Sequence, residues 1–191
     1  MTTTLSYLAF HAVFVVPALA ALAVAAVRRR ERVDWRVTGA GVAVVTVLAV
    51  AYTLPWDRHL IRTGVWWYGP GRVAARVWGV PVEEVLFFVL QPLLTALWTV
   101  QVAGPVVEGV RQDWRDRALG AGAGLAVGLV GVTLLTQSAT VYLGAILAWA
   151  GPVLALQWAV GWRYLLAVRG RVAAAVLVPS AYLWVVDRVA I

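Results

Sequence analysis

The 191-residue sequence has no cysteine and no lysine, and only two histidines, His11 and His59. Without cysteine there is no disulfide, no thiolate nucleophile and no cysteine-ligated metal. Without lysine there is no Schiff base to retinal or pyridoxal phosphate and no lysine-dependent phosphate loop. A retinal-binding opsin of this size is thereby excluded. Two histidines are too few for a histidine-rich metal cage. Charge is scarce as well: 13% of residues are charged, about half the share of a soluble globule. In its place, 62% of residues are hydrophobic and the mean hydropathy is +0.83.

That apolar content fills about six segments of about 20 residues, the length that crosses a bilayer core. A soluble enzyme, a disordered tail and a fibrous protein do not fit it. The stretches run near Leu5–Val27, Val37–Leu54, Val80–Ala103, Ala118–Thr136, Val141–Val160 and Val172–Val186. The expected fold class is all-α, a polytopic transmembrane helix bundle. The first stretch starts too close to Met1 for a basic leader region, so it reads as a retained span. All sixteen basic residues are arginine, giving a net charge of +7. With no basic amphipathic stretch, the surplus points to cytoplasmic loops and not to nucleic acid. Eleven arginines follow spans one, three and five (Arg28, Arg29, Arg30, Arg32, Arg36, Arg111, Arg115, Arg117, Arg163, Arg169, Arg171), against five on the other side. The positive-inside rule then places the N-terminus outside the cell membrane.

The chain also repeats itself. Ala51-Tyr52, Asp57-Arg58 and Ile61 recur as Ala181-Tyr182, Asp187-Arg188 and Ile191, at a constant offset of 130. Tyr7-Leu8, Pro17, Leu19 and Ala20 match Tyr142-Leu143, Pro152, Leu154 and Ala155 at an offset of 135. These offsets relate span one to five and two to six, so the copies run parallel and span four acts as a linker. The expected organisation is a three-helix repeat over residues 1–103, a linker helix over 104–137, and an incomplete second repeat over 138–191. In the linker, Gly120, Gly124 and Gly128 form a smooth stripe at four-residue spacing, suited to close helix packing and lacking the spacing of a dinucleotide loop.

The chemistry concentrates between Pro55 and Phe88. Pro55-Trp56-Asp57 is followed by Gly64-Val65-Trp66-Trp67-Tyr68-Gly69-Pro70 and then Val80-Pro81-Val82-Glu83-Glu84-Val85-Leu86-Phe87-Phe88. Pro81 suits the first position of a helix, which puts Glu83 and Glu84 in its first turn. Phe87 lies one turn below Glu83, Phe88 one turn below Glu84, and Gln91 one turn further. A helix dipole would explain acids at such a place. It would not explain a doublet, two phenylalanines and a Trp-Trp-Tyr cluster. Two acids in an apolar site resist ionising together, so one is suited to hold a proton. A protonated carboxyl among aromatic faces suits delivery of a proton to a carbon–carbon double bond, with the rings steadying the carbocation. Asp57-Arg58 and Asp187-Arg188 each end a span, either as interfacial ion pairs or as a repeated clamp near the site. His11 is expected to pack between helices or to assist proton return. Trp98, Trp149, Trp158 and Trp184 read as belt or packing residues.

These segments resemble a known family. Pro81 to Phe88 looks like the Pro-x-Glu-Glu-x-x-Phe-Phe motif of the small membrane lycopene cyclases of archaea, actinobacteria and fungi. Pro55-Trp56-Asp57, Gly64 to Pro70, and Tyr7-Leu8-Ala9-Phe10-His11 with Pro17 are similar too, so the resemblance runs from about Tyr7 to Ile191. It implies a redox-neutral, cofactor-free and metal-free reaction. An acyclic end of lycopene is protonated, closes to a six-membered ring and loses a proton, giving γ-carotene and then β-carotene. Glu83 and Glu84 are then the acid and base, with Glu84 the preferred donor. Trp66, Trp67, Tyr68, Phe87, Phe88 and Gln91 line the substrate, with Pro81, Asp57, Arg58 and His11 close by. Family members are two three-helix subunits or a fused pair. The fused form carries a second acidic doublet on a seventh helix, which this sequence lacks. Either the sequence is a truncated cyclase, or a partner (a second cyclase half or a second copy of the chain) supplies that helix; the other expected partners are the carotenoid and the bilayer. Closure of C50 carotenoid ends is an alternative. So is a non-enzymatic proton-relay or transport subunit, which would need polar residues deeper in the bundle than the Thr and Ser of spans two, four and six.

Overall fold

The computed structural model describes residues 5–29 and 33–190. Arg30, Arg32 and Ile191, used above for orientation and repeat, lie outside the described residues. Among the described residues six helices are long and apolar enough to cross a membrane: α1 (Tyr7–Val27), α2 (Trp35–Arg62), α3 (Val82–Val102), α4 (Trp114–Leu134), α5 (Val141–Ala167) and α6 (Arg169–Ala190). Large apolar side chains such as Val47, Leu129 and Trp184 stand exposed on their outer faces. Lipid accepts such a surface and water does not. The protein is an all-α membrane bundle.

The chain divides into two compact units, Met1–Ala103 with Ala173–Ile191, and Gly104–Val172. In the first, Phe10 and Val15 of α1, Leu94 of α3, and Val186 and Ala190 of α6 form the core. Three long-range bonds tie these elements. The Tyr182 hydroxyl donates to the Phe14 carbonyl at 2.8 Å, the Trp98 indole to the Ala174 carbonyl at 2.9 Å, and the Leu5 amide to the Ala190 carbonyl at 3.2 Å. In the second unit the glycine stripe packs as expected. A Cβ placed on Gly124 would lie 2.2 Å from the backbone nitrogen of Ala155, and one on Gly131 2.2 Å from that of Ala148. The backbones of α4 and α5 meet directly there.

Four local features depart from the expectations. α2 does not stop at Leu54: it starts at Trp35, capped by the Asp34 carboxylate, and runs through Pro55 to Arg62. A proline is tolerated inside a membrane helix because neighbouring groups satisfy the freed carbonyl. Second, α1 contains a π-helical turn over His11–Val15, in which the Val16 amide reaches back to the His11 carbonyl. Pro17 follows directly, and its missing N–H and bulky ring disfavour the ordinary helical ladder at this point. Third, Arg76–Val77 (β1) pairs antiparallel with Val80–Pro81 (β2) through Trp78 and Gly79, with φ of 53° and 87°. Two positive φ values in a two-residue connection make a primed hairpin turn. Finally, Pro81 is the N-cap residue of α3 and not its first helical residue, because the hairpin holds it extended.

Candidate active site

The hairpin fixes where α3 begins, and with it the two acids. Val82 donates its amide to the Ala75 carbonyl at 3.0 Å, which locks the helix start to the loop. Glu83 and Glu84 stand in the first turn, as the sequence predicts. They are not equivalent. Glu83 is 2% exposed; its Oε1 accepts the Ala74 amide at 2.6 Å, and its Oε2 has no partner. Glu84 accepts the Tyr68 hydroxyl at 2.5 Å and a second hydrogen bond from the Tyr7 hydroxyl. One carboxyl therefore presents a free buried oxygen, while the other is held between two phenols. The two tyrosine rings stack at 6.5 Å with 20° between their planes.

Tyr68 lies in the connection between α2 and the hairpin. Burial, and then the neighbouring Glu84 carboxyl, push its phenol above the usual tyrosine range. The neutral form is the one favoured by folding. The hydroxyl therefore remains a donor throughout the neutral range and is lost only as pH rises through that raised value. The Arg76 guanidinium lies 5.5 Å from the Tyr68 ring centre.

Two further polar groups are sealed into this region. Asp57 is 0% exposed and neither of its oxygens has a hydrogen-bond partner. It forms no ion pair with Arg58, whose guanidinium instead sits 4.1 Å over the Trp78 ring. The interfacial ion pair is thus replaced by a buried acid, because α2 continues past Pro55 and carries Asp57 inward. Asp57 and Asp187 both lie within electrostatic range of Glu84. His11 is 1% exposed; its Nδ1 lies 2.8 Å from the Tyr7 carbonyl and its Nε2 has no partner. Its ring meets Phe87 edge-on at 5.8 Å and Tyr7 at 4.9 Å.

The structure thus gathers Glu83, Glu84, Tyr68, Phe87, His11, Asp57 and Pro81 around one end of α3. Trp66 and Phe88 are half-buried nearby in the chain. Trp67 is not gathered: it is 82% exposed. Gln91 turns away from the acids and donates to the Thr95 hydroxyl at 3.1 Å, one turn deeper. Tyr7 was absent from the sequence-derived set of site residues, although it stands four positions before His11 and therefore on the same helical face.

On the same three helices lies an apolar cleft of about 770 Å³, lined by residues including Leu19 and Ala23 of α1, Val42 and Thr46 of α2, and Leu93 and Leu97 of α3. Leu93 is ten residues beyond Glu83 and Thr46 eleven before Asp57. At 1.5 Å per residue both separations come to about 15–17 Å along their helices.

The profile described as lycopene cyclase matches residues 5–101. A protein named lycopene beta-cyclase, from Halobacterium salinarum, is 53% identical over 189 residues, covering 98% of this chain and 78% of that protein. A bifunctional lycopene cyclase/phytoene synthase from Podospora anserina is 32% identical over 197 residues, covering 97% of this chain and 32% of that protein. One of the same description from Pyrenophora tritici-repentis is 34% identical over 165 residues, covering 78% of this chain and 28% of that protein. No solved structure matches significantly.

Proposed function

The chain belongs to the lycopene cyclase family, and on that premise we propose that it closes the acyclic ends of lycopene to β-ionone rings. The reaction is acid-catalysed and redox-neutral: γ-carotene forms first and β-carotene second. The observation that carries this reading is the unpartnered Oε2 of buried Glu83, in a first helical turn surrounded by tyrosine and phenylalanine.

We assign proton delivery to Glu83 in preference to Glu84. The free Oε2 can turn its proton on a substrate double bond, whereas the Glu84 carboxyl is held by hydrogen bonds from Tyr68 and Tyr7. Glu84 then serves as a fixed negative end for the developing carbocation, an electrostatic role that preorganised groups fill well in a water-poor site. Phe87 and Tyr68 present ring faces and edges to the same charge, each interaction worth about 0.5–2 kcal/mol. The acyclic remainder of the polyene lies in the cleft between α1, α2 and α3. An extended chain can run from Glu83 to Val100 along α3, about 25 Å at the helical rise.

The protein sits in the cell membrane with its N-terminus outside, a reading supported by the arginine bias. Residues 1–103 and 138–191 are two parallel repeats joined by a linker helix, supported by the offsets and by Asp57 and Asp187 both lying within reach of Glu84. A second cyclase half or a second copy of this chain is the proposed partner.

The test is production of the chain in lycopene-accumulating cells, with pigments separated by chromatography. Ring-bearing products are expected. Unchanged lycopene beside well-expressed protein counts against the reading. Glu83→Gln keeps the Ala74 bond yet cannot deliver the proton, and should lower ring formation by at least about 10²–10⁴-fold.

A further inference from the structure

Acid catalysis of ring closure needs a second group, because the cyclic carbocation must lose a proton to become a product. Glu84 is less suited to this, because two phenols already donate to its carboxyl group. His11 is free. The Tyr7 carbonyl can only accept, so the 2.8 Å contact requires that Nδ1 carry the hydrogen. In the neutral ring Nε2 is then a bare acceptor. It is out of solvent and without a donor, on a ring that packs against those of Phe87 and Tyr7. A buried acceptor without a partner is costly. This one is held in place by a π-helical turn, a distortion that recurs at functional sites. Glu83 lies within its electrostatic reach. Asp57, the other buried group with free oxygens, lies within range of Glu84, Tyr68 and Tyr7 instead.

We propose that His11 is the base that completes the reaction, taking the ring proton on Nε2 and returning it to Glu83. The inference rests on the cyclase reading. Glu83 gives its proton to the terminal double bond, whose electrons form the new C–H bond. A second double bond attacks the resulting cation and forms the ring C–C bond, leaving positive charge on a ring carbon. The C–H bond on the adjacent carbon breaks, its electron pair becomes the ring double bond, and its proton goes to Nε2. The imidazolium passes that proton to the Glu83 carboxylate, and both residues are restored. No electrons leave the substrate and no water enters. The two unpartnered atoms are complementary, one an oxygen to give a proton and the other a nitrogen to take it.

His11→Asn places an amide nitrogen near the Nδ1 position, so the bond to Tyr7 can persist while Nε2 is deleted. His11→Gln places an amide oxygen near Nε2, an acceptor that is not a base. Both are compared with wild type for lycopene binding, by the absorption shift of the bound pigment, and for products. Unchanged binding is expected in both, with β-ring formation reduced by about 10²–10⁴-fold. Lycopene that is still consumed should appear as rings with the double bond elsewhere, or as a ring alcohol from water capture. Glu83→Gln differs, leaving lycopene unconsumed. Wild-type rate and products in His11→Asn would overturn the proposal. Loss of binding together with activity in both variants would also overturn it, by giving His11 a purely structural role. Ring closure by Glu83→Gln would sink the donor assignment and leave the two histidine variants readable.

Discussion

The α4–α5 pair and the region around Glu83 treat polar groups in opposite ways. At one end of the pair they are satisfied. Asp113 and Asp116 form a reciprocal capping box at the start of α4, and Gln112 bridges the Ala159 carbonyl and the Arg163 amide. The Trp162 indole donates to the Asp116 carbonyl, whose carboxylate meets Arg163 at 2.7 Å. The helices then touch backbone to backbone along the glycines. Around Glu83, three residues that are at most 2% exposed each keep a polar atom unpaired: His11, Asp57 and Glu83. Every such atom costs about 1–3 kcal/mol of folding free energy. A chain able to satisfy that helix end has no structural need for the deficit around Glu83. Unmet polar groups concentrated at one place mark where stability has given way to chemistry.

That contrast can be broken from either side. The largest effect on stability is expected from Gly124→Val, whose added carbons would collide with the backbone of Ala155. Overpacking of this kind costs about 1–3 kcal/mol or more, and Tm in detergent should fall by about 2–4 °C for each kcal/mol. Lycopene binding per folded molecule should not change. On the other side, Tyr68→Phe removes a donor from Glu84 without opening a cavity. A hydrogen bond to a charged group contributes about 1.5–3 kcal/mol, so kcat should fall by about 10–100-fold with KM nearly constant, and Tm should fall by several degrees at most. An unchanged kcat would show that the phenol does not hold Glu84 for the reaction. The smallest effect has the opposite sign. Gly122 shares α4 with Gly124, but a Cβ there meets nothing within 4 Å. Gly122→Ala should therefore gain about 0.5–1 kcal/mol from helix propensity, read as a small rise in Tm.

Much of this was legible in the sequence, for physical reasons. Six spans follow from the length of apolar runs, the acidic first turn of α3 from Pro81 and the doublet, and the helix contact from glycines four apart. The burial of Asp57 was not legible, because Pro55 reads locally as a stop and only the tertiary surroundings show that the helix survives it. Trp78 at φ 53° is equally opaque: a tryptophan seldom takes the left-handed region, and its ring is steadied by Arg58 from another element. Tyr7 reaches Glu84 across more than 70 positions of chain, a pairing that periodicity within one helix cannot reveal. Trp67 shows the converse, since membership of an aromatic cluster does not say which ring turns inward.

The π-helical turn in α1 holds one residue more than the regular helical repeat would. Everything on its N-terminal side, Tyr7 included, is therefore indexed separately from the lipid-facing remainder of that helix. Tightening this turn to ordinary helical pitch with every residue kept would rotate one segment against the other by up to about 100°. The outward face from Pro17 onward could stay as it is while the phenol swung away from its carboxylate, leaving a helix that crosses the bilayer equally well but no longer carries the key to its own lock.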